Sequence, residues 1–303
     1  MISSSEEWGK DMDRKLIVLG YPTKERVAQF AERLKRGAGV DVSDVHVSAT
    51  GPSTIYVDLP DSNQMRARLH ALAHEERLDV LIGPRTIERI TLFIADMEAT
   101  IIQDEMLDRL GEERGVSLAG TTARAMAGEI DFEQSLIERT RLLAGTTEAL
   151  LKSLCSTISY TPGAKALVTA LKAQGVTTVL VTGGYDTFAK EVARTCGFDA
   201  IVSNTPILKN GVMTGEIERP ICTAKTKRDV LLDYCKKLGI DPYSACCIGD
   251  GANDLLMLQT CGLPVSFKGK PIVQEVVNLN ITSGDLTSVL AAVDLCTPKA
   301  LAR

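Results

Sequence analysis

Five short apolar runs recur from Ile90 onward, "ITLFIAD", "TTVLVT", "DAIVSN", "SACCIGD" and "LPVSF". Each is apolar on successive positions rather than alternate ones, which marks a strand buried on both faces. Stretches with a helical apolar period lie between them, predicting helices over 162–174, 185–195, 224–238 and 252–259. Strands buried on both sides and separated by helices fold economically as a parallel sheet covered on both faces, an α/β architecture. Two intervals break the rhythm. Residues 103–154 carry only helical periodicity ("EMLDRLGEERG", "TTARAMAGE", "FEQSLIERTRLL", "TTEALLKSL"), so a helical insertion follows the first strand. "TPILKNGVMTGEI" sets Asn210-Gly211 between two short runs, the signature of a hairpin with a type I′ turn.

Residues 15–82 follow a different order. "LIVLG", "TKERVAQFAERLKRG", "VDVSDVHVSA", "STIYVDL", "NQMRARLHALAHEER" and "LDVLIG" read as strand, helix, strand, strand, helix, strand, the α+β ferredoxin-like pattern. A small domain over 14–86 and a larger one over 90–296 are therefore expected, with "GPRTIER" at 83–89 as a polar joint and residues 1–13 as a disordered leader. His70 and His74, four apart on a helix, lack a third ligand and are expected to be exposed rather than metal-bound.

The net charge of -5 leaves no basic footprint for nucleic acid. No apolar run approaches the roughly 20 residues that span a bilayer, and no secretory signal opens the chain. Eight cysteines are scattered through apolar segments without a C-x-x-C pair, as expected for buried, reduced thiols in a cytoplasmic protein.

In a parallel sheet, ligands bind beyond the carboxyl ends of the strands. Three strand ends carry suitable groups. The first ends in "ADMEA", with Asp96 and Glu98 two apart, so that in an extended chain both acids project to one face. Such a pair demands a cation, a shared proton or open solvent. The second ends in "VTGGY", where Thr182 and two glycines precede a helix and suit an anion. The third reads "GDGANDLLML", with Asp250, Asn253 and Asp254. Helical periodicity also puts Lys227 on one face with Val230, Leu231, Tyr234 and Leu238, whereas Lys225 points to solvent. A lysine on an apolar face needs an anion or a carboxylate.

With these segments in order, the chain resembles the haloacid dehalogenase superfamily and, within it, the phosphoserine phosphatases. The resemblance covers 90 to about 292, and "AMAGEIDFEQSL" is similar to that family's cap. It implies a Rossmann-like core with a helical cap at about 103–155, magnesium as cofactor, and an aspartyl-phosphate intermediate. Asp96 would be the nucleophile and Glu98 the acid/base. Thr182 and the Gly183 amide would hold phosphate, and Lys227 would bridge Asp96 and phosphate. Asp96, Asp250 and the Glu98 backbone carbonyl would bind magnesium, supported by Asn253 and Asp254. Glu105 would pair with the amino group of phosphoserine, Arg139 with its carboxylate, and Met126 and Phe132 would line the cap. The first domain resembles the ACT-like modules of some longer relatives, which bind amino acids or pair chains, so a homodimer is one option.

The family pattern carries Asp where this chain has Glu98, and usually Ser where it has Ala99. The extra methylene moves the carboxyl by about 1 Å, a displacement that can cost on the order of 10²-fold in rate if nothing adjusts. The phosphoserine:homoserine phosphotransferase branch also carries D-x-E. Three functions follow as expectations: hydrolysis of phosphoserine, phosphoryl transfer to homoserine, or a weakened sensor of a phosphorylated ligand. Hydrolysis is the leading expectation, and the intact Asp96, Thr182, Lys227, Asp250 and Asp254 argue against the sensor.

Overall fold

The computed structural model describes residues 15–19, 23–48, 53–58, 62–83 and 89–296, so the leader and most of the polar joint lie outside the described residues. The strand-like runs after Ile90 form β5 (Leu92–Ala95), β6 (Thr177–Tyr185), β7 (Ala200–Asn204), β10 (Ala245–Gly249) and β11 (Leu263–Phe267). All neighbouring pairs among them are parallel, in the order β11-β10-β5-β6-β7. β5 and β10 are buried along their whole length, which is why their sequences show no alternation. A short strand, β12 (Leu279–Ile281), follows β11; three residues are too few to leave a periodic signal in the sequence.

The first segment forms β1 (Lys15–Val18), α1 (Lys24–Arg33), β2 (Asp41–His46), β3 (Ser53–Asp58), α2 (Asn63–Glu75) and β4 (Val80–Ile82). Thr23 and Ser62 start the two helices by accepting the amides of Arg26 and Met65. The strand order β2-β3-β1-β4, with antiparallel pairs, is that of a ferredoxin-like unit.

The two sheets are one. β4 pairs antiparallel with β12 at Leu81 and Leu279, giving a ten-stranded sheet. The seam carries several polar contacts. Ile82 N donates to Asn278 O at 2.8 Å, and the Asn278 amide donates to the Ile82 and Gly83 carbonyls. Buried Asp79 accepts the successive amides of Thr282, Ser283 and Gly284 at 2.8, 3.0 and 2.7 Å. His70, expected to be exposed, is instead 2% exposed and its Nε2 lies 3.1 Å from the Val277 carbonyl. The helix periodicity did not show that a second sheet edge would cover that face. His74 is exposed.

Between β5 and β6 the chain forms five α-helices: α3 (Met106–Arg114), α4 (Ala119–Met126), α5 (Phe132–Leu142) and α6 (Glu148–Cys155) in the insertion, then α7 (Ala164–Ala173) leading back to the sheet. After β6 comes α8 (Asp186–Cys196). The hairpin is β8 (Pro206–Lys209) and β9 (Val212–Ile217), with Asn210 and Gly211 at φ 54° and 75°, both left-handed as a type I′ turn requires. It docks on the helical insertion through Gly145 N to Met213 O and Met213 N to Thr146 O, at 2.9 and 2.8 Å. The helix carrying Lys227 is α9 (Ala224–Leu238), which packs its buried Lys227, Leu231 and Cys235 inward. Leu238, expected on that face, is 38% exposed, because the helix ends there at Gly239 before the apolar stripe completes another turn.

Candidate active site

β5 is flanked by β10 and β6, so the three strand ends singled out in the sequence lie side by side. The chain proceeds from β5 to β6 and β7 on one side, then to β10 and β11 on the other. That reversal opens the crevice in which doubly wound sheets bind ligands.

Asp96 follows the last residue of β5, and its amide still bonds the β10 carbonyl of Ile248 at 3.0 Å. The strand ends there. The expectation that Asp96 and Glu98 alternate on an extended strand is therefore corrected. Met97–Ile101 form a tight turn closed by Ile102 N to Met97 O, and Ala99 sits at φ 52°. A left-handed alanine costs on the order of 1 kcal/mol, so the surrounding contacts must hold this turn. The acids converge through the turn rather than through strand alternation.

Asp96 is 4% exposed and its Oδ1 accepts the Met97 amide at 2.7 Å. Lys227, 1% exposed, sets its Nζ 2.7 Å from Asp96 Oδ1 and 2.7 Å from Asp254 Oδ1. Asp254 Oδ2 accepts the amides of Asp250 and Gly251, each at 3.1 Å. Asp254 Oδ1 is thus committed to Lys227 and Oδ2 to the loop. Gly249 is required beside it: a Cβ there would stand 2.3 Å from Asp254 Cγ. Asp250 remains partly open, its Oδ2 3.3 Å from the exposed Lys270 ammonium, while Lys270 N bonds the Asp250 carbonyl at 2.9 Å. Asn253 is partly buried beside Gly251.

Carboxylate oxygens of Asp96, Asp250 and Asp254 lie within 4.8 Å of one another. Burial pushes the Asp96 carboxyl up to about 7, with Asp254 adding to the shift and Lys227 opposing it. Burial also raises Asp250. Burial alone would discharge Lys227, but Asp254 and Asp96 outweigh it and hold the ammonium above its usual range. One lysine does not balance three acids. The remaining demand is for a hard cation, and an all-oxygen donor set suits magnesium rather than zinc.

On the β6 side, Thr182 is fully buried and its Oγ1 accepts the Gly184 amide at 2.9 Å. Phe132 from α5 presses on this loop: a Cβ on Gly183 would lie 2.4 Å from Phe132 Cζ, so any larger residue there has to displace the partly exposed ring. Met126 lies in α4, and its side chain lies outside the described ones. Asn204, at the end of β7, was not singled out in the sequence. It donates to the Gly183 carbonyl at 2.8 Å and accepts the Cys222 amide at 2.7 Å, tying the anion loop to the segment that enters α9. An asparagine closing an apolar strand was its only signal.

Glu98 turns toward the helical insertion. Its Oε1 accepts the Met106 amide, at the N-terminus of α3, at 2.9 Å. Burial pushes its carboxyl up to about 8, with Glu105 reinforcing the rise and the Met106 amide opposing it. Glu105 precedes Met106 and is exposed, its own carboxyl raised by partial burial and by Asp108. Arg139, from α5, is close enough to act on both Glu98 and Glu105, but its direct partner is Asp108, at 2.5 Å.

A parallel sheet, an acid turn after its central strand, a threonine-glycine anion loop and a lysine held between two aspartates define a phosphoryl-transfer site of the haloacid dehalogenase type. Residues 93–259 match the haloacid dehalogenase-like hydrolase family, more than half of the chain, and the chain belongs to that family. A phosphoserine phosphatase of Albidiferax ferrireducens is 40% identical over 217 residues, covering 68% of this chain and 91% of that one. Among solved structures, a hydrolase of the same family from Salmonella enterica subsp. enterica serovar Typhi aligns at a TM-score of 0.79 and 26% identity over 93% of this chain and 98% of its own. A phospho-aspartyl intermediate analogue of phosphoserine phosphatase aligns at 0.63 and 30% identity over 68% of this chain and 99% of its own.

Proposed function

We propose that the protein hydrolyses O-phospho-L-serine to L-serine and phosphate, the last step of serine biosynthesis, through an aspartyl-phosphate on Asp96 and with magnesium as cofactor. The observation that carries this reading is Lys227, buried between Asp96 and Asp254, with Arg139 and Glu105 of the helical insertion close enough to act on Glu98. The phosphatase relatives and the phospho-aspartyl neighbour support the same reaction.

In the first step an Asp96 carboxylate oxygen attacks phosphorus and the phosphorus–seryl oxygen bond breaks. Glu98 gives its proton to the departing oxygen, and serine leaves as the neutral alcohol. An acid whose carboxyl is held near 8 is protonated at neutral pH, as this step requires. In the second step the Glu98 carboxylate takes a proton from water, whose oxygen attacks phosphorus and returns Asp96 as carboxylate. Lys227, Thr182 and the Gly183 amide hold the phosphoryl oxygens throughout. Asp96, Asp250 and the Glu98 carbonyl would hold magnesium, which supplies charge stabilisation for the transferring group. Glu105 and Arg139 fit the amino and carboxylate groups of the substrate, with Phe132 closing the pocket.

The reaction takes a small molecule in the cytoplasm. The net charge of -5 supports no nucleic-acid partner, and no described helix is long and apolar enough to cross a membrane. β2 lies at the sheet edge, which leaves a pairing surface for a second copy. Glu98 in place of aspartate favours a second reading, transfer from Asp96 to homoserine instead of water. Both are tested by incubating L-phosphoserine and magnesium with and without homoserine. Free phosphate in both mixtures is expected. Homoserine phosphate as the main product would support the transferase, and no turnover in either would refute both.

A further inference from the structure

The guanidinium of Arg139 has a specific local setting that the reaction steps leave unused. Its Nη2 bonds Asp108 Oδ1, and its Nε is buried without a partner among the described residues. A buried N–H left bare is costly unless a ligand supplies an acceptor. Arg139 is held at one nitrogen while another stands ready.

The helix that carries Arg139 is fixed from the sheet side by the next residue. Thr140 is fully buried, and its Oγ1 donates to the Leu136 carbonyl at 2.7 Å. Its single proton is then used, so in the 2.8 Å contact with Tyr185 Oη the tyrosine is the donor. Tyr185 is itself fully buried and follows the Thr182–Gly184 anion loop directly. One phenol therefore links the end of the phosphate-binding strand to the turn of α5 that carries Arg139. Its hydroxyl is pushed up to about 12 by burial, against the pull of Thr140 and Arg139, so it remains a donor across the working range.

We propose that Asp108 and Tyr185 are positioning residues that set the distance between the phosphate loop and Arg139, and so select a phosphate ester that bears a carboxylate. Asp108 orients the guanidinium from α3, and Tyr185 fixes α5 through Thr140. Asp108 acts on the guanidinium directly, Tyr185 through the neighbouring residue of the same helix. Neither touches the reacting phosphorus. The proposal deepens the phosphoserine reading and rests on it.

The test compares L-phosphoserine with O-phosphoethanolamine, the same ester with the amine kept and the carboxylate removed. In the magnesium-loaded wild type, kcat/KM should favour phosphoserine. Asp108→Asn should shrink that preference about tenfold and Tyr185→Phe about threefold, each through a higher KM for phosphoserine at nearly constant kcat. Tyr185→Phe keeps the ring and Asp108 is half exposed, so both variants should stay folded, as thermal melting would show. A preference unchanged in either variant removes that residue from the role. Equal losses on both esters would mark a structural role and overturn the proposal. A wild type that cleaves both esters equally would sink the phosphoserine reading itself, and the positioning of Arg139 with it; a preference present but insensitive to both variants would sink the positioning alone.

Discussion

Glu98→Asp removes one methylene from the acid that serves both the reaction and the helical insertion. Glu98 Oε1 reaches the Met106 amide at 2.9 Å. Shortening the side chain draws the carboxyl back by roughly 1.3 Å, the projection of one carbon–carbon bond, and the contact opens beyond hydrogen-bonding distance. Two losses follow. The first amide of α3 loses its hydrogen-bond acceptor, worth about 0.5–1.5 kcal/mol. The proton donor is also displaced by about 1 Å from the leaving oxygen, which costs on the order of 10²-fold in rate. We expect kcat for phosphoserine to fall about 10- to 100-fold and the melting temperature to drop by a few degrees. Glu98→Gln separates the two effects. Its amide oxygen can still accept from Met106, so the fold should hold, but it cannot exchange the proton, and kcat should fall by about 10² or more. Steady-state phosphate release and thermal melting on both variants read the outcome. A Glu98→Asp enzyme as fast as the parent, or faster, would refute the argument that this turn is tuned to the longer acid.

Asp96→Asn should abolish turnover and the trapping of labelled phosphate on the protein while the chain stays folded, because an amide is a poor nucleophile; undiminished turnover would end the covalent mechanism. Gly183→Ala places a methyl group 2.4 Å from Phe132 Cζ, so kcat/KM should drop about tenfold, and adding Phe132→Ala should recover part of the loss in a double-mutant cycle. Arg139→Ala should lower kcat/KM for phosphoserine by about 2–3 kcal/mol and affect a generic aryl phosphate much less; equal losses on both would assign Arg139 to the fold. Stability should follow pH in a set direction. Asp96 and Glu98 are raised to about 7 and about 8 in the folded chain, above their unfolded values of 3.8 and 4.5, so between those limits the folded state binds more protons. The metal-free protein should therefore lose stability as pH rises from about 4 to 8, and excess magnesium should raise the melting temperature more at pH 8 than at pH 5; a flat response to both would contradict the buried acid cluster.

The sequence by itself determined the sheet and the identity of its chemical groups. Fully apolar runs such as "ACCIG" can be satisfied only between two covering layers, and "GDGAND" cannot be explained by packing alone. The Asn210-Gly211 turn and the span of α9 were legible because local φ preference and helical period act within a few residues. Lys227 was legible as well, since a charge on an apolar stripe stands out. What only the tertiary structure decided depends on groups brought together from distant parts of the chain. That Glu98 leaves the strand direction and caps α3 follows from a turn whose left-handed alanine no local rule anticipates. That Asp108 holds Arg139, and that Tyr185 reaches Thr140, depends on how α3 and α5 settle over β6. His70 is buried because β4 meets β12, an edge pairing between strands of three residues each, too short to write a period of their own. Periodicity reports which face of an element is covered; it carries no information about what covers it, because burial is a property of surfaces that meet only after the chain has folded.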